Sequence, residues 1–170
     1  MKELKVVSWR VINVDPIGRA KENKEILLDK EEYQYLFSFI KEKREENIIN
    51  AEYGCSHYLG LSLEKELRDT YFSCVAGLYV ASILSNGDIF ICPNVERRKE
   101  FIQGNIKHDN FVEVWENKFQ LFRTDNRTKY DQCNGCPNWK YCLGDSFHTF
   151  DFEKKKTCFC IQELYEVNYV

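Results

Sequence analysis

The chain opens with an apolar segment that predicts a β-strand. Residues 4–14 (LKVVSWRVINV) are rich in β-branched residues and show little alternation, which is typical of a strand buried on both faces of a parallel sheet. Pro16 and Gly18 end this pattern. A second, shorter strand is predicted at residues 47–53 (NIINAEY).

An amphipathic helix is predicted between these two strands. Asp29 is a good N-cap residue, and Glu32, three positions later, completes the sequence of a capping box. The charged segment 41–46 predicts the solvated end of the helix. The apolar positions recur at helical spacing and are Tyr33, Leu36, Phe37 and Ile40.

The order strand, helix, strand predicts a βαβ-like unit. Two strands are too little sheet to stand alone, because a parallel sheet needs neighbouring strands and cover on both faces. We therefore interpret residues 1–54 as the tail of a larger barrel. The alternative is that this unit packs against the second half of the chain.

The middle of the chain predicts a β-hairpin. A short helix with Ser62 as its cap comes first, followed by strands at 78–84 and 88–91. Asn86 and Gly87 lie between the strands and favour a type I′ turn, because both residues tolerate positive φ.

Two cysteines flank this hairpin. Cys74 lies just before its first strand and Cys92 directly after its second. Antiparallel pairing brings these ends together, so the two thiols can share one site. The alternative is two unrelated cysteines at strand ends.

An aromatic stripe follows the hairpin. Residues 110–123 carry apolar side chains at helical spacing, and such a stripe is typical of a core face, which we expect to cover the hairpin. The apolar residues are Phe111, Val114, Trp115, Phe119 and Phe122.

Residues 131–144 contain a cysteine knuckle, defined here as the Cys-x2-Cys-x5-Cys segment. Its thiols belong to Cys133, Cys136 and Cys142, and Gly135 and Pro137 bend the chain between them. A two-residue gap is the usual spacing of a chelating turn. Three thiolates need a fourth ligand, and Cys158 and its rival Cys160 lie downstream. The alternative is a set of buried structural cysteines.

Composition narrows the class of protein. The 170 residues are 44% hydrophobic and 15% aromatic, which predicts a globular chain with a real core. A net charge of -3 argues against a dedicated nucleic-acid or membrane surface. No apolar signal region is present at the start, so the eight cysteines are expected in a reducing cytoplasm, where metal ligation is favoured over disulfides.

Together, the two cysteine spacings resemble the SPASM domain, a C-terminal extension of many radical S-adenosylmethionine (SAM) enzymes. Segment 104–117 (GNI…FVEVWEN) is similar to that family, and segment 13–20 (NVDPIGRA) resembles the last part of the radical SAM barrel. The spacings are Cys74-x12-Gly87-x4-Cys92 and Cys133-x2-Cys136-x5-Cys142, followed by a late cysteine.

The resemblance implies an α+β chain with two parts. Residues 1–54 would be a small βαβ remnant of a partial TIM-type barrel, and residues 55–170 a SPASM domain with a hairpin and a helix around its metal sites. It also implies two auxiliary [4Fe–4S] clusters, one at the hairpin and one at the knuckle. The implied parent enzyme contains a radical SAM core domain and modifies a ribosomally made peptide or protein.

Two departures from the family matter. No three cysteines here have the Cys-x3-Cys-x2-Cys spacing that binds SAM, so we expect that this chain alone does not cleave SAM. The family usually places a cysteine four positions after the third knuckle cysteine, which reaches back to the hairpin cluster, and this chain has Ser146 there. The hairpin site therefore lacks one family ligand, and the alternative is that its cysteines are plain core residues.

The ligand sets follow as hypotheses. Cys133, Cys136, Cys142 and Cys158 are expected to hold one centre. Four cysteines remain for a second centre, namely Cys55, Cys74, Cys92 and Cys160. We expect Cys55 to join the hairpin pair, and Cys160 or a non-protein ligand to complete the set. His57 and His148 are weaker ligand candidates, because a histidine near cysteines is more often a hydrogen-bonding or surface residue.

Iron and zinc stay open on chemistry alone, because both accept four thiolates. The family resemblance favours [4Fe–4S]. An alternative function is a non-catalytic, zinc- or iron-stabilised module that binds a peptide or a protein partner.

Overall fold

The structure, a computed structural model, describes residues 5–123 and 131–165. The chain forms two compact units. The first unit contains the described residues up to Ser73 and those from Thr157 onwards, and the second unit contains those from Cys74 to Lys156.

Both helices and strands are present, as the predicted α+β class requires, and most of these elements are short. The helices are α1 (Lys30–Glu45), α2 (Leu61–Leu67), α3 (Phe111–Asn117), α4 (Gln120–Arg123), α5 (Trp139–Cys142) and α6 (Ile161–Leu164). The strands are β1 (Ser8–Val11), β2 (Asn50–Tyr53), β3 (Ser82–Ile83), β4 (Asp88–Phe90), β5 (Ile102–Asn105), β6 (Phe150–Asp151) and β7 (Lys156–Thr157). None of the helices in the described residues is long and apolar enough to cross a membrane.

The first unit contains the predicted strand–helix–strand arrangement. Strands β1 and β2 pair in parallel, with Ser8 opposite Asn50 and Val11 opposite Tyr53. Helix α1 connects them and packs on β2. The predicted capping box is confirmed, because the backbone N–H of Glu32 donates to the Asp29 side chain at 2.9 Å and the reverse bond is also present.

One prediction about β1 is wrong. The strand is four residues long, and the apolar run around it is not buried on both faces, since Val7 is 85% exposed and Ile12 is 65% exposed. Among the residues that the structure describes, this sheet has two strands and offers no neighbour that would bury these positions. The face opposite Ala51 and Tyr53 carries an ion pair, in which Arg10 donates to Glu52 at 2.8 Å.

The cap of α2 also differs from the prediction. The helix begins at Leu61 after Gly60, which has a φ of 83° and makes no side-chain cap bond. Ser62 therefore lies inside the first turn.

The second unit is built on an antiparallel sheet in the order β3–β4–β5. The aromatic stripe covers the hairpin, as predicted. The hydrophobic core of the second unit consists of Ile89, Phe90, Ile91, Val95, Phe101, Val114, Phe119 and Phe122.

The aromatic stripe itself is two helices instead of one. Asn110 caps α3 through its side chain, which accepts from the N–H groups of Val112 and Glu113. Helix α3 ends at Asn117, and helix α4 begins at Gln120. The predicted core position Phe111 is 38% exposed.

The hairpin turn is not type I′. A type I′ turn needs positive φ at both central residues. Gly87 has a φ of 95°, whereas the φ of Asn86 is not positive. The N–H of Gly87 donates to the carbonyl of Leu84 at 2.8 Å, and Leu84 N–H donates to the carbonyl of Asp88 at 2.9 Å. The loop is thus a three-residue connection that ends in a left-handed glycine.

Gly77 lies at the base of the hairpin, where its replacement is expected to lower the stability of the protein. Its φ is +71°, and an added Cβ would lie 2.5 Å from Cβ of Phe122. We expect Gly77→Ala to lower the free energy of unfolding by about 2–4 kcal/mol, because backbone strain and overpacking add together.

Gly18→Ala is the matched control for this measurement by chemical denaturation. Gly18 also has a positive φ, of +54°, but nothing lies within 4 Å of the added Cβ. This control should therefore show the backbone strain alone, of about 1–2 kcal/mol. Equal losses in the two variants would contradict the packing argument.

Candidate metal centre

The cysteine knuckle is a chain of consecutive turns. The N–H of Cys136 donates to the carbonyl of Cys133 at 3.2 Å, and Trp139 N–H donates to the carbonyl of Cys136 at 3.1 Å. Gly135, between the first two cysteines, has a φ of +73°, and an added Cβ there would meet nothing within 4 Å. Glycine is thus favoured at this position by the backbone conformation and not by lack of space.

The third knuckle cysteine closes α5. Cys142 is the last residue of that helix, and Leu143 follows in the left-handed conformation with a φ of 51°. The N–H of Asp145 then donates to the carbonyl of Cys142 at 3.0 Å. All three knuckle thiols are half-buried, so each lies within reach of an entering ion.

The hairpin cysteines lie on segments that meet at the base of the sheet. The N–H of Gly77, three residues after Cys74, contacts the carbonyl of Ile91, next to Cys92, at 3.3 Å. Cys74 is buried, and Cys92 is half-buried against the core of the second unit. The two segments approach each other as expected, while their sharing of one centre stays a prediction.

Cys55 occupies a polar cluster in the first unit. Its Sγ accepts from the backbone N–H of Asn13 at 3.2 Å, and the thiol lies 3.5 Å from the Asn13 carbonyl, to which it donates. Burial raises the pKa of the Cys55 thiol, which disfavours the thiolate that a metal needs. Its ligation remains a prediction that requires this thiol to lose its proton.

The same cluster engages His57. The ring is buried, its Nε2 lies 2.8 Å from Oδ1 of Asp15, and it stacks on Phe159 with ring centroids 4.2 Å apart. Burial also raises the pKa of the neighbouring Tyr53 phenol, which donates to Oδ1 of Asn13 at 2.5 Å. This arrangement favours the hydrogen-bonding role for His57.

Sequence reasoning missed a buried ion pair in this cluster. Arg68 donates to Glu64 at 2.5 Å, and both side chains are buried. Arg68 also donates to the backbone carbonyl of Cys55 at 2.9 Å, and Glu64 accepts from the N–H of Leu59 at 3.0 Å. The pair therefore fixes the loop that carries Cys55. The i, i+4 spacing in α2 was the available signal.

Ser146 stands where the resembling family has a cysteine. It is buried, and its hydroxyl is hydrogen-bonded to Nδ1 of His148. This contact ties the second candidate histidine to the end of the knuckle.

The predicted ligands are distributed over both units. Cys55, Cys158 and Cys160 belong to the first unit, and the other five cysteines belong to the second. All eight lie in the described residues, and none forms a disulfide. Across residues 5–123 and 131–165, no three His, Cys, Asp or Glu side chains are already grouped as a metal site. The ligand sets stay predictions.

Comparison with known proteins identifies the class of the middle segment. Residues 74–137 match the SPASM family, an iron–sulfur cluster-binding domain. The match confirms the resemblance seen in the cysteine spacing and indicates that this part of the chain binds an iron–sulfur cluster.

A curated relative extends the likeness beyond that segment. The chain is 24% identical over 159 residues to an AdoMet-dependent heme synthase from Methanosarcina barkeri (strain Fusaro / DSM 804). The alignment covers 84% of this chain and 44% of the relative, so the chain spans less than half of that protein. No solved structure matches significantly.

The donor set fits an iron–sulfur group. The second unit offers five cysteine thiols without a disulfide among them, three of them on the successive turns of the knuckle. Thiolate is the soft ligand that iron–sulfur clusters use, and zinc accepts it as well.

Proposed function

We propose that this chain is the auxiliary iron–sulfur portion of a radical SAM enzyme. The observation that carries the proposal is the match of residues 74–137 to the SPASM domain, with the knuckle thiols on successive turns. When bound, an auxiliary cluster supplies electron transfer or an open iron for a substrate ligand.

Within this proposal the cysteines have assigned roles. Cys133, Cys136 and Cys142, with Cys158 or its rival Cys160, hold the first centre. Cys74 and Cys92 hold a second centre together with Cys55. The half-buried knuckle thiols support the first set, and the hydrogen bond at the base of the hairpin supports the pairing of Cys74 with Cys92.

The proposed partner is a radical SAM core domain that supplies the rest of the barrel, of which β1, α1 and β2 are the last part. Two observations support it. The apolar side chains of Val7 and Ile12 are exposed beside β1, where a complete parallel sheet would cover them. The relative has more than half of its length outside the aligned part.

The substrate of the assembled enzyme is proposed at the level of class. The family resemblance favours a ribosomally made peptide or protein. The relative named as a heme synthase gives a second candidate, a precursor of heme. Assays of the assembled enzyme with each class of substrate distinguish the two.

The proposed role predicts how this chain behaves without a radical SAM core domain. After anaerobic reconstitution, this chain with SAM and a strong reductant should form no 5′-deoxyadenosine, because no Cys-x3-Cys-x2-Cys sequence is present. Iron and sulfide content, with an electron paramagnetic resonance (EPR) spectrum, should nevertheless show a cluster.

Two different results would contradict these two expectations. Turnover above that of a protein-free blank would overturn the expectation about SAM. Zinc without sulfide would instead favour the alternative function, a metal-stabilised module that binds a peptide or partner.

A further inference from the structure

Arg123 is half-buried, and one donor of its guanidinium is buried and unsatisfied. It is the last described residue of α4, and its guanidinium carbon lies 4.3 Å from the ring centroid of Trp115. Its Nε donates to the backbone carbonyl of Gly77 at 3.4 Å. Its Nη2 is buried and has no hydrogen-bond acceptor among residues 5–123 and 131–165. A buried donor without a partner costs about 1–3 kcal/mol, and more on a charged group, so it calls for an explanation such as an ion.

This group lies at the base of the hairpin. The residue that accepts from Arg123 is Gly77, which follows Cys74 by three positions. The N–H of Gly77 in turn contacts the carbonyl of Ile91, the neighbour of Cys92. One residue therefore links the guanidinium to both segments that carry the hairpin thiols.

The charges of the two groups are complementary. An iron–sulfur cluster held by thiolates carries net negative charge, and its reduction adds one more. A cation in a low-dielectric environment stabilises the reduced state more than the oxidised state. Stacking on Trp115 holds the planar guanidinium in one orientation without consuming its donors.

We infer that Arg123 is a positioning residue that compensates the negative charge of the group held by Cys74 and Cys92, through its Nη2. This inference rests on the proposed function. It assigns a role to a residue outside the cysteine set.

The test is a redox titration of the reconstituted full chain, followed by EPR. We expect Arg123→Gln to lower the ratio of reduced to oxidised cluster about tenfold at a fixed potential, which is about 59 mV for a one-electron couple. Arg123→Lys keeps the charge and should shift this ratio less. The shift should be absent from a Cys74→Ala background, in which the hairpin centre is removed.

Arg98→Gln is the matched control. Arg98 also lies over an aromatic ring, 4.9 Å from that of Phe152, but its guanidinium already pairs with Glu100 at 2.6 Å. This variant should leave the titration unchanged. Identical titrations of Arg123→Gln and Arg98→Gln, with clusters present, would overturn the inference and leave the proposed function intact.

The remaining outcomes are also informative. A purely structural role for Arg123 predicts equal losses of thermal stability with and without the cluster and no change in potential, which overturns the inference. If Arg123→Gln does not fold, the neutral Arg123→Met variant replaces it, and a potential equal to that of the unsubstituted chain, with equal iron content, counts against the inference. Absence of iron and sulfide from the unsubstituted chain contradicts the proposed function, and the inference with it.

Discussion

Cys136→Ala protein, prepared and reconstituted without oxygen, is expected to hold about four fewer iron atoms per chain than the unsubstituted protein. It should also lose thermal stability in the knuckle segment, up to residue 146. The reason is the nature of the buried side chains there. In the described residues from 132 to 146 the buried side chains are polar, namely Asn138, Asp145 and Ser146. With so little apolar burial, metal binding supplies much of the folding free energy, so its loss unfolds the segment.

The measurements are iron and sulfide content and a thermal melt. Tyr141→Phe is a matched control, because Tyr141 lies on the same short helix α5 and is partly exposed. Cys158→Ala and Cys160→Ala, measured alongside, identify the fourth ligand as the one whose loss reproduces the Cys136→Ala result. Unchanged iron content and unchanged melting in Cys136→Ala would rule out the knuckle as a cluster site.

Cys74→Ala tests the hairpin centre and should have an effect of similar size. The reconstituted chain is expected to contain about eight irons, and the variant about four, because the hairpin centre loses a ligand while the knuckle is untouched. Cys55→Ala should give the same count if Cys55 joins the hairpin pair. The buried position of that thiol beside Asn13 makes this the more demanding part of the hypothesis.

An unsubstituted chain with about four irons, unaffected by Cys74→Ala, would leave only one cluster. The hairpin cysteines would then be core residues. A result of eight irons in Cys55→Ala, with four in Cys74→Ala, would instead assign the missing ligand to Cys160 or to a non-protein group.

Local signals in the sequence predicted local structure well. The capping box at Asp29 and Glu32 was predictable because its hydrogen bonds join residues three apart. The parallel pairing of β1 with β2 followed from the apolar runs and the helix between them. The SPASM resemblance, carried by the spacing of the cysteines, was confirmed over residues 74–137.

Features set by tertiary contacts were missed. The type of the hairpin turn depends on the pairing of Leu84 with Asp88 across the loop, and not on the Asn86-Gly87 dipeptide alone. The break between α3 and α4 is marked by no Gly or Pro. The burial of the Glu64–Arg68 pair could not be predicted, because charged side chains on a short helix are usually solvated.

The order of synthesis gives the two-part first unit a consequence for assembly in the cell. Phe159, which stacks on His57 and contacts Tyr33, is translated after the whole second unit. The Leu164 carbonyl, which accepts from the side chain of Gln34, is later still. On the ribosome the cysteine-bearing hairpin and knuckle therefore emerge while the first unit lacks its closing residues. Within the proposed function, iron can reach these cysteines on a nascent chain whose first unit is still open, because that unit closes only after residues 157–165 have also been made.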